Sequence, residues 1–287
     1  MSRPALDFDP SQEPFTHYTA LQRLSSDRSG HGSAPRHLLY VARDKRTNVR
    51  VLFKLTAKPG LIYQQNLLNE IATLTTINRE LPRSHYFPLI SEHGHLKDGR
   101  VLLVISLFDE FPLATSIGAE RVPGKLVAHL RTALEVARAL DELHGLGIFH
   151  VDLNTMNVLY RLERGAPVVR IVDFESSYER ARHEHGTSYN PPTTAGFSAP
   201  ELGTQAPDAR VDVYSLGAVL YTLIAGYQWT WSGPPDEAVA KDGELDPELA
   251  AILRKAVAPS PAARYPSVDA FRTALDAHLD RIWPGRR

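Results

Sequence analysis

Cysteine is missing altogether from the 287 residues. Its absence excludes disulfides, thiolate metal sites and a cysteine nucleophile, and agrees with a reducing compartment, the cytoplasm being the expected one. A charge excess of either sign is missing too: 32 Lys and Arg stand against 33 Asp and Glu, for a formal net charge of −1. No basic field argues for nucleic acid and no acidic surplus for a solvating tail, so neither partner class is expected. Met1 to Pro14 has no apolar leader; it is polar and proline-bearing, and residues 1–17 read as a loose arm. One long uncharged run does occur, from Val213 to Pro235, long enough to raise a transmembrane helix. Ser215, Gly217, Thr222, Gly226, Gln228 and Thr230 dilute it and Gly226-Tyr227-Gln228-Trp229 breaks it. A buried core helix over Val213–Ala225, and no membrane span, is therefore expected.

With 43% hydrophobic and 23% charged residues the chain can bury a large core, and residues 18–283 read as one domain of two lobes, 18–108 and 109–283. The first lobe alternates strand-like runs with turns: Leu38–Ala42, Val49–Thr56, Tyr86–Ile90 and Val101–Leu107. Leu67, Leu68, Ile71, Leu74 and Ile77 recur at helical spacing between them, after Pro59-Gly60. Past Pro112 the pattern is helical, with helices expected from Gly124 through Leu143 and over Val213–Ala225, Pro247–Val257 and Val268–Ile282. A small antiparallel sheet with one helix, followed by a larger, mainly helical lobe, is an α+β arrangement with a natural cleft.

Between the long helix and the next strand lies His150-Val151-Asp152-Leu153-Asn154-Thr155-Met156-Asn157. An Asp five residues before an Asn on a loop can set a carboxylate at an incoming hydroxyl and an amide oxygen on a metal ion, the pairing that phosphoryl transfer needs. Ile171-Val172-Asp173-Phe174-Glu175 ends an apolar run in a second carboxylate, a good ligand for a hard cation such as Mg²⁺. Upstream, Lys54 closes the run Val51-Leu52-Phe53, and Glu70 follows on the helix, where an ion pair would aim the ammonium at nucleotide phosphates.

In this order, the motifs resemble the signature set of the protein kinase superfamily, in particular the bacterial Ser/Thr protein kinases, over nearly the whole chain from Leu21 to Leu279. The resemblance implies a bilobal kinase-like fold, Asp152 as catalytic aspartate, Lys54 as phosphate-binding lysine with Glu70 as its partner, and Asn157 and Asp173 as metal ligands for Mg²⁺ or Mn²⁺. It implies ATP contacts from Gly30, Gly32, Leu39, Leu52, Lys54, Ile105, Leu107 and Leu159, and a protein substrate. Thr194-Ala195-Gly196-Phe197-Ser198-Ala199-Pro200-Glu201 looks like the end of an activation segment, Asp212 opens the central helix, and Arg264 matches the arginine that pairs with Glu201. His150 is expected to be structural, hydrogen-bonding backbone near Phe174, and Thr194 to hold the substrate-binding turn.

Departures from the pattern are local. Pro35 stands where a third glycine of the phosphate-covering loop would fall, so Gly30-His31-Gly32 reads either as a weak grip on ATP or as a plain polar turn. Leu52 replaces a small residue over the adenine and crowds it. Asn154 replaces a lysine beside the transferred phosphoryl group, which weakens electrostatic stabilisation. Glu175 replaces a glycine, and either stiffens that segment or adds a carboxylate near the metals. Val151 replaces the arginine that would receive a phosphate on the activation loop, leaving Thr187, Ser188, Tyr189, Thr193 and Thr194 without that receiver. His183-Glu184-His185 reads as a solvated loop rather than a metal site, and Trp229 and Trp231 as packing residues. Three functions remain open: a Ser/Thr protein kinase, a pseudokinase that binds nucleotide or scaffolds, and a small-molecule kinase of the aminoglycoside or choline type. Regulation is expected from a separate partner.

Overall fold

In the computed structural model the described residues are 6–24, 36–122, 124–184, 189, 191–192, 194–231 and 233–284. The chain divides into two compact units, Met1–Pro82 with Pro88–Asp109, and Arg83–Phe87 with Glu110–Arg287.

The first unit is an antiparallel sheet with one helix. Strands β1 (Tyr18–Arg23), β2 (His37–Asp44), β3 (Arg50–Thr56), β4 (Ile90–His95) and β5 (Val101–Ser106) lie in the order β1-β2-β3-β5-β4, and α1 (Leu61–Glu80) joins β3 to β4. The side-chain period of two sorts the strands into faces. Tyr40, Ala42, Val51, Phe53, Leu55 and Val104 bury one face in a core that includes Phe15 and Tyr18. The register Leu39↔Lys54, Val41↔Leu52 and Leu52↔Ile105 puts Leu39, Leu52, Lys54 and Ile105 together on the other.

Two expectations for this unit need correction. Much of the stretch read as a loose arm is packed: Phe15 is buried, Phe8 stacks on it at 3.8 Å, and Tyr40 meets the Phe8 ring edge-on at 4.9 Å. Two aromatics in a polar, proline-bearing stretch carry no periodicity, so their burial shows only in three dimensions. Tyr86–Ile90 is not a strand, since β4 starts at Ile90. Tyr86 and Phe87 are apolar because they belong to the second unit, where the Tyr86 hydroxyl donates to Glu135 at 2.6 Å and its carbonyl accepts from the Ile171 N–H at 2.9 Å.

The second unit is mainly helical. Helix α2 (Leu126–Gly145) packs on α4 (Ala209–Ala225), α7 (Val268–Ile282) and the small sheet formed by β6 (Phe111–Pro112), β8 (Val158–Glu163) and β9 (Ala166–Ile171). Short strands β7 (Ile148–Phe149) and β10 (Tyr178–Glu179) pair beside it, followed by a single turn α3 (Arg180–His183), while α5 (Pro235–Lys241) and α6 (Pro247–Ala256) complete the unit. Caps start the helices where polar side chains can satisfy the first N–H groups: Asp208 accepts from Arg210 N, Asp246 from Glu248 N and Leu249 N, and Ser267 from Ala270 N. The long uncharged run begins inside α4, which is buried from Val211 to Ile224 and stopped at Gly226, and continues through the 3₁₀ turn Tyr227–Trp231. Gly226 has φ +80°, and a Cβ there would meet the Ala119 carbonyl at 2.7 Å, so glycine is required. Among the described residues no helix is long and apolar enough to cross a membrane.

Arg264 ties the base of this unit together. Its guanidinium donates to both carboxylate oxygens of Glu201, at 2.7 and 2.8 Å, and to the carbonyls of Ala258, Arg210 and Pro259 at 2.7–3.0 Å. Its side chain is fully buried and lies 4.7 Å from the Tyr214 ring centroid. Removing one partner of a buried, fully bonded ion pair strands the other, so Arg264→Ala is expected to cost about 3–5 kcal/mol in urea unfolding. Arg264→Lys keeps the charge without the planar fork and is expected to recover less than half of that. A lysine variant with the wild-type midpoint would contradict this account.

Candidate active site

The loop between β7 and β8 hangs from one carboxylate. Asp212, in the first turn of α4 and wholly buried, accepts from His150 N, Val151 N and His144 Nε2, each at 2.8 Å. Burial pushes its pKa up, but the hydrogen bond from His144, the His144 and His150 charges and the Val151 N–H outweigh it and hold the group below the usual carboxylate range. Val151 is itself buried with φ +69°, a left-handed conformation that costs a β-branched residue energy and persists because this clamp over-determines it.

Asp152 follows directly. Its carboxylate accepts from the Thr194 hydroxyl at 2.6 Å, and its carbonyl accepts from Asn154 Nδ2 at 3.0 Å and Asn157 Nδ2 at 2.9 Å. Asn154 Oδ1 caps the turn by accepting from Met156 N at 2.8 Å and Asn157 N at 3.2 Å. The amide of Asn154 thus has a structural task, and supplies no cation where the lysine is missing. For Asn157, the committed Nδ2 orients the amide and leaves Oδ1 as the atom able to ligate a metal. Beyond β9 the Val172 N–H donates to the Asn157 carbonyl at 3.0 Å, which binds the strand end carrying Asp173 to this loop; Asp173 has φ +70°. Phe174 is fully buried, edge-on to Phe87 at 6.0 Å and to His150 at 5.1 Å, and Glu175 is half-buried. His150 Nε2 lies 3.1 Å from the Val172 carbonyl, the structural role expected of it.

Burial raises the pKa of Asp152, and the Asp173 charge adds to the rise against the Thr194 hydrogen bond, the His150 charge and Asn154. In the first unit Lys54 Nζ is 2.8 Å from Glu70 Oε2, with the lysine buried and Glu70 wholly so. Leu39 and Leu52 are half-buried beside Lys54 on its sheet face, Ile105 is buried there, and Leu107 just after β5 is half-buried. Leu159 is half-buried on β8 of the second unit. Gly30, Gly32 and Pro35 lie outside the described residues, as do His185, Thr187, Ser188 and Thr193.

His183 is not in a solvated loop. It is buried at the end of α3, stacks on Tyr178 at 4.8 Å, and its Nδ1 lies 3.0 Å from Glu179 N. Trp229 is buried packing, as expected, with Nε1 donating to the Thr222 hydroxyl at 3.2 Å. Sequence reasoning missed His144, whose only signal is its place six residues before His150, and Tyr227, whose hydroxyl lies 2.6 Å from that of Thr155 and has no local signal at all.

A carboxyl group with a raised folded-state pKa releases its proton at higher pH folded than unfolded, so its ionisation opposes folding. That cost is absent below the unfolded pKa, grows as pH rises through the folded pKa, and is fully present above it. Asp152→Asn keeps an acceptor for Thr194 and removes the charge. Its thermal midpoint is therefore expected to lie a few degrees above wild type near neutral pH, with the gap closing as pH falls through the carboxylate range. A midpoint below wild type at neutral pH would overturn this reading.

Residues 32–266 match the family model described as protein kinase domain. Over 113 residues the chain is 43% identical to ribosomal protein S6 kinase alpha-2 of Mus musculus, an alignment covering 38% of this chain and 15% of that protein. Over 103 residues it is 41% identical to ribosomal protein S6 kinase alpha-6 of Danio rerio, covering 35% and 14%. The matched stretch thus spans only about one seventh of the curated relatives' length. The crystal structure of the Mycobacterium tuberculosis PknI kinase domain superposes with a TM-score of 0.61 at 21% identity, covering 91% of this chain and 96% of that one, a likeness of fold.

Proposed function

This chain belongs to the protein kinase domain family, and on that premise we propose that it transfers the γ-phosphoryl group of ATP to Ser or Thr hydroxyls of a protein. The observation that carries the proposal is the loop Asp152–Asn157, which holds a carboxylate and an oriented amide oxygen together behind the Asp212 clamp. Thr194 occupies Oδ1 of Asp152, so Oδ2 is the oxygen for the acceptor hydroxyl. As the acceptor oxygen bonds to the γ-phosphorus and the bond to the ADP oxygen breaks, the hydroxyl proton passes to Asp152, whose raised pKa suits it to receive a proton. Lys54, held by Glu70, would take the nucleotide phosphates.

Asn157 and Asp173 offer hard oxygen donors and the chain has no cysteine thiolate, so the donor set fits Mg²⁺ or Mn²⁺. Bound with the nucleotide, such an ion would neutralise charge on the phosphate oxygens. A second reading, nucleotide binding with little or no turnover, is favoured by Asn154, whose committed amide leaves the transferring group without the missing positive charge.

Intact-mass measurement after incubation with ATP and Mg²⁺ or Mn²⁺ separates these readings. Phosphate additions on the wild type and none on Asp152→Ala are expected, with a rate loss of roughly 10²–10⁴ for the variant. Nucleotide binding without additions would transfer the conclusion to the second reading. Because Val151 sits where the phosphate-receiving arginine would be, phosphorylated and phosphatase-treated protein are expected to work at equal rates. A roughly tenfold gain on phosphorylation would refute that.

A further inference from the structure

The Tyr227-Gln228-Trp229 motif has no role in the chemistry above, yet it touches both the Asp152 loop and the turn that begins at Thr194. It lies in the 3₁₀ turn Tyr227–Trp231, immediately after α4. The Tyr227 hydroxyl is 2.6 Å from the Thr155 hydroxyl, inside the catalytic loop and between Asn154, which caps the turn, and Asn157. Thr155 is buried, and its carbonyl accepts from Ala114 N at 2.8 Å, so its side chain is held on a loop fixed from two sides.

Trp229 reaches the other half of the site. Its ring lies so close to Gly196 that a Cβ there would sit 3.4 Å from Cη2; Gly196 has φ +80°, and Phe197 meets the ring edge-on at 6.4 Å. Gly196 and Phe197 form the turn whose first residue is Thr194: Phe197 N and Ser198 N donate to the Thr194 carbonyl at 3.0 and 2.9 Å, and Thr194 N donates to the Ser198 hydroxyl at 2.7 Å. Thr194 in turn donates to Asp152. The turn bearing both aromatics is anchored from behind, by Trp229 on Thr222 of α4 and by Tyr227 N and Gln228 N on the carbonyls of Gly118 and Ala119 at 3.2 and 2.9 Å.

We infer that Tyr227 and Trp229 are positioning residues: the 3₁₀ turn braces the Asp152 loop through Tyr227–Thr155 and the Thr194 turn through Trp229–Gly196, setting the distance between the catalytic carboxylate and the turn that buttresses it. The inference rests on the kinase reading for its kinetic consequence, though not for its structural one. Neither aromatic touches the reacting atoms. Tyr227 acts on Asp152 through its neighbours in the loop, so its loss should lower kcat without altering ATP binding, and small misplacements of a catalytic group are costly.

The test is a double-mutant cycle of Tyr227→Phe and Thr155→Val on the full chain, with dephosphorylated casein as acceptor. Each variant is expected to lose roughly tenfold in kcat with the KM for ATP within about twofold of wild type, the pair to lose no more than either alone, and Thr155→Ser to keep the wild-type rate. Trp229→Phe is expected to raise the KM for casein more than it lowers kcat, while Gln228→Ala on the exposed side of the turn leaves both unchanged. A Tyr227→Phe protein at wild-type kcat, or losses that multiply in the double variant, would overturn the inference. If the wild type transfers no phosphate, the kinase reading falls, and hydrogen exchange decides the brace separately. Met156 and Asn157 amides should exchange roughly tenfold faster in Tyr227→Phe with α4 amides unaltered, and equal rates there would overturn it.

Discussion

Asp212 is a carboxylate with no exposed surface, and ionisation in such a place is tolerable only because hydrogen-bond donors converge on it. Two of those donors are consecutive backbone N–H groups, from His150 and Val151, and directly after them the left-handed conformation of Val151 turns the chain into Asp152. The position of Asp152 is therefore inherited from α4. The same helix supplies Ser215, whose hydroxyl donates to the Phe197 carbonyl at 2.8 Å, and Thr222, which receives Trp229. One buried helix thus holds the Asp152 loop, the Thr194 turn and the 3₁₀ turn at once, and its lack of charge beyond Asp212 follows from that central place.

Asp212 and Asp152 illustrate how surroundings, rather than burial alone, set a carboxyl group's charge. Asp212 is the more deeply buried of the two, yet its pKa is lowered, because His144, the His150 charge and the Val151 N–H together outweigh desolvation and favour the ion. Asp152 is less buried and its pKa is raised, since the Thr194 hydroxyl and the His150 charge do not offset desolvation together with the Asp173 charge. Two carboxyl groups sixty residues apart in sequence, driven in opposite directions, divide the work into a fixed scaffold charge and a group able to take a proton. Asn154 shows the converse economy: a residue that looks like a loss of catalytic charge is also the turn former that holds Asn157 in place.

Much of this was legible in one dimension. The strand-like runs that became β2, β3 and β5, set between turns, and the helical recurrence from Leu67 to Ile77 mark the first unit, and the spacing from Asp152 to Asn157 and Asp173 marks the loop and the strand end after it, because these patterns depend on residue type and near neighbours. The pairing of Lys54 with Glu70 and of Glu201 with Arg264 was expected and is present. What failed did so for one reason. Tyr86 and Phe87 read as a strand, residues 8–15 as a loose arm and His183 as solvated because an apolar or polar letter does not name the surface it will meet.

Composition and periodicity were enough to exclude disulfides, to set an α+β chain with a buried rather than membrane-spanning helix, and to put the polar residues of the site in their order along it, since these depend on residue type and near neighbours. Folding in three dimensions settled the rest. That His144 meets Asp212, that Thr194 reaches Asp152 across 42 positions, and that Tyr227 meets Thr155 across 72, are contacts between segments with no local relation. Such contacts exist because packing the helices of the second unit brings those segments together, and no pattern within a single element encodes which of them will touch.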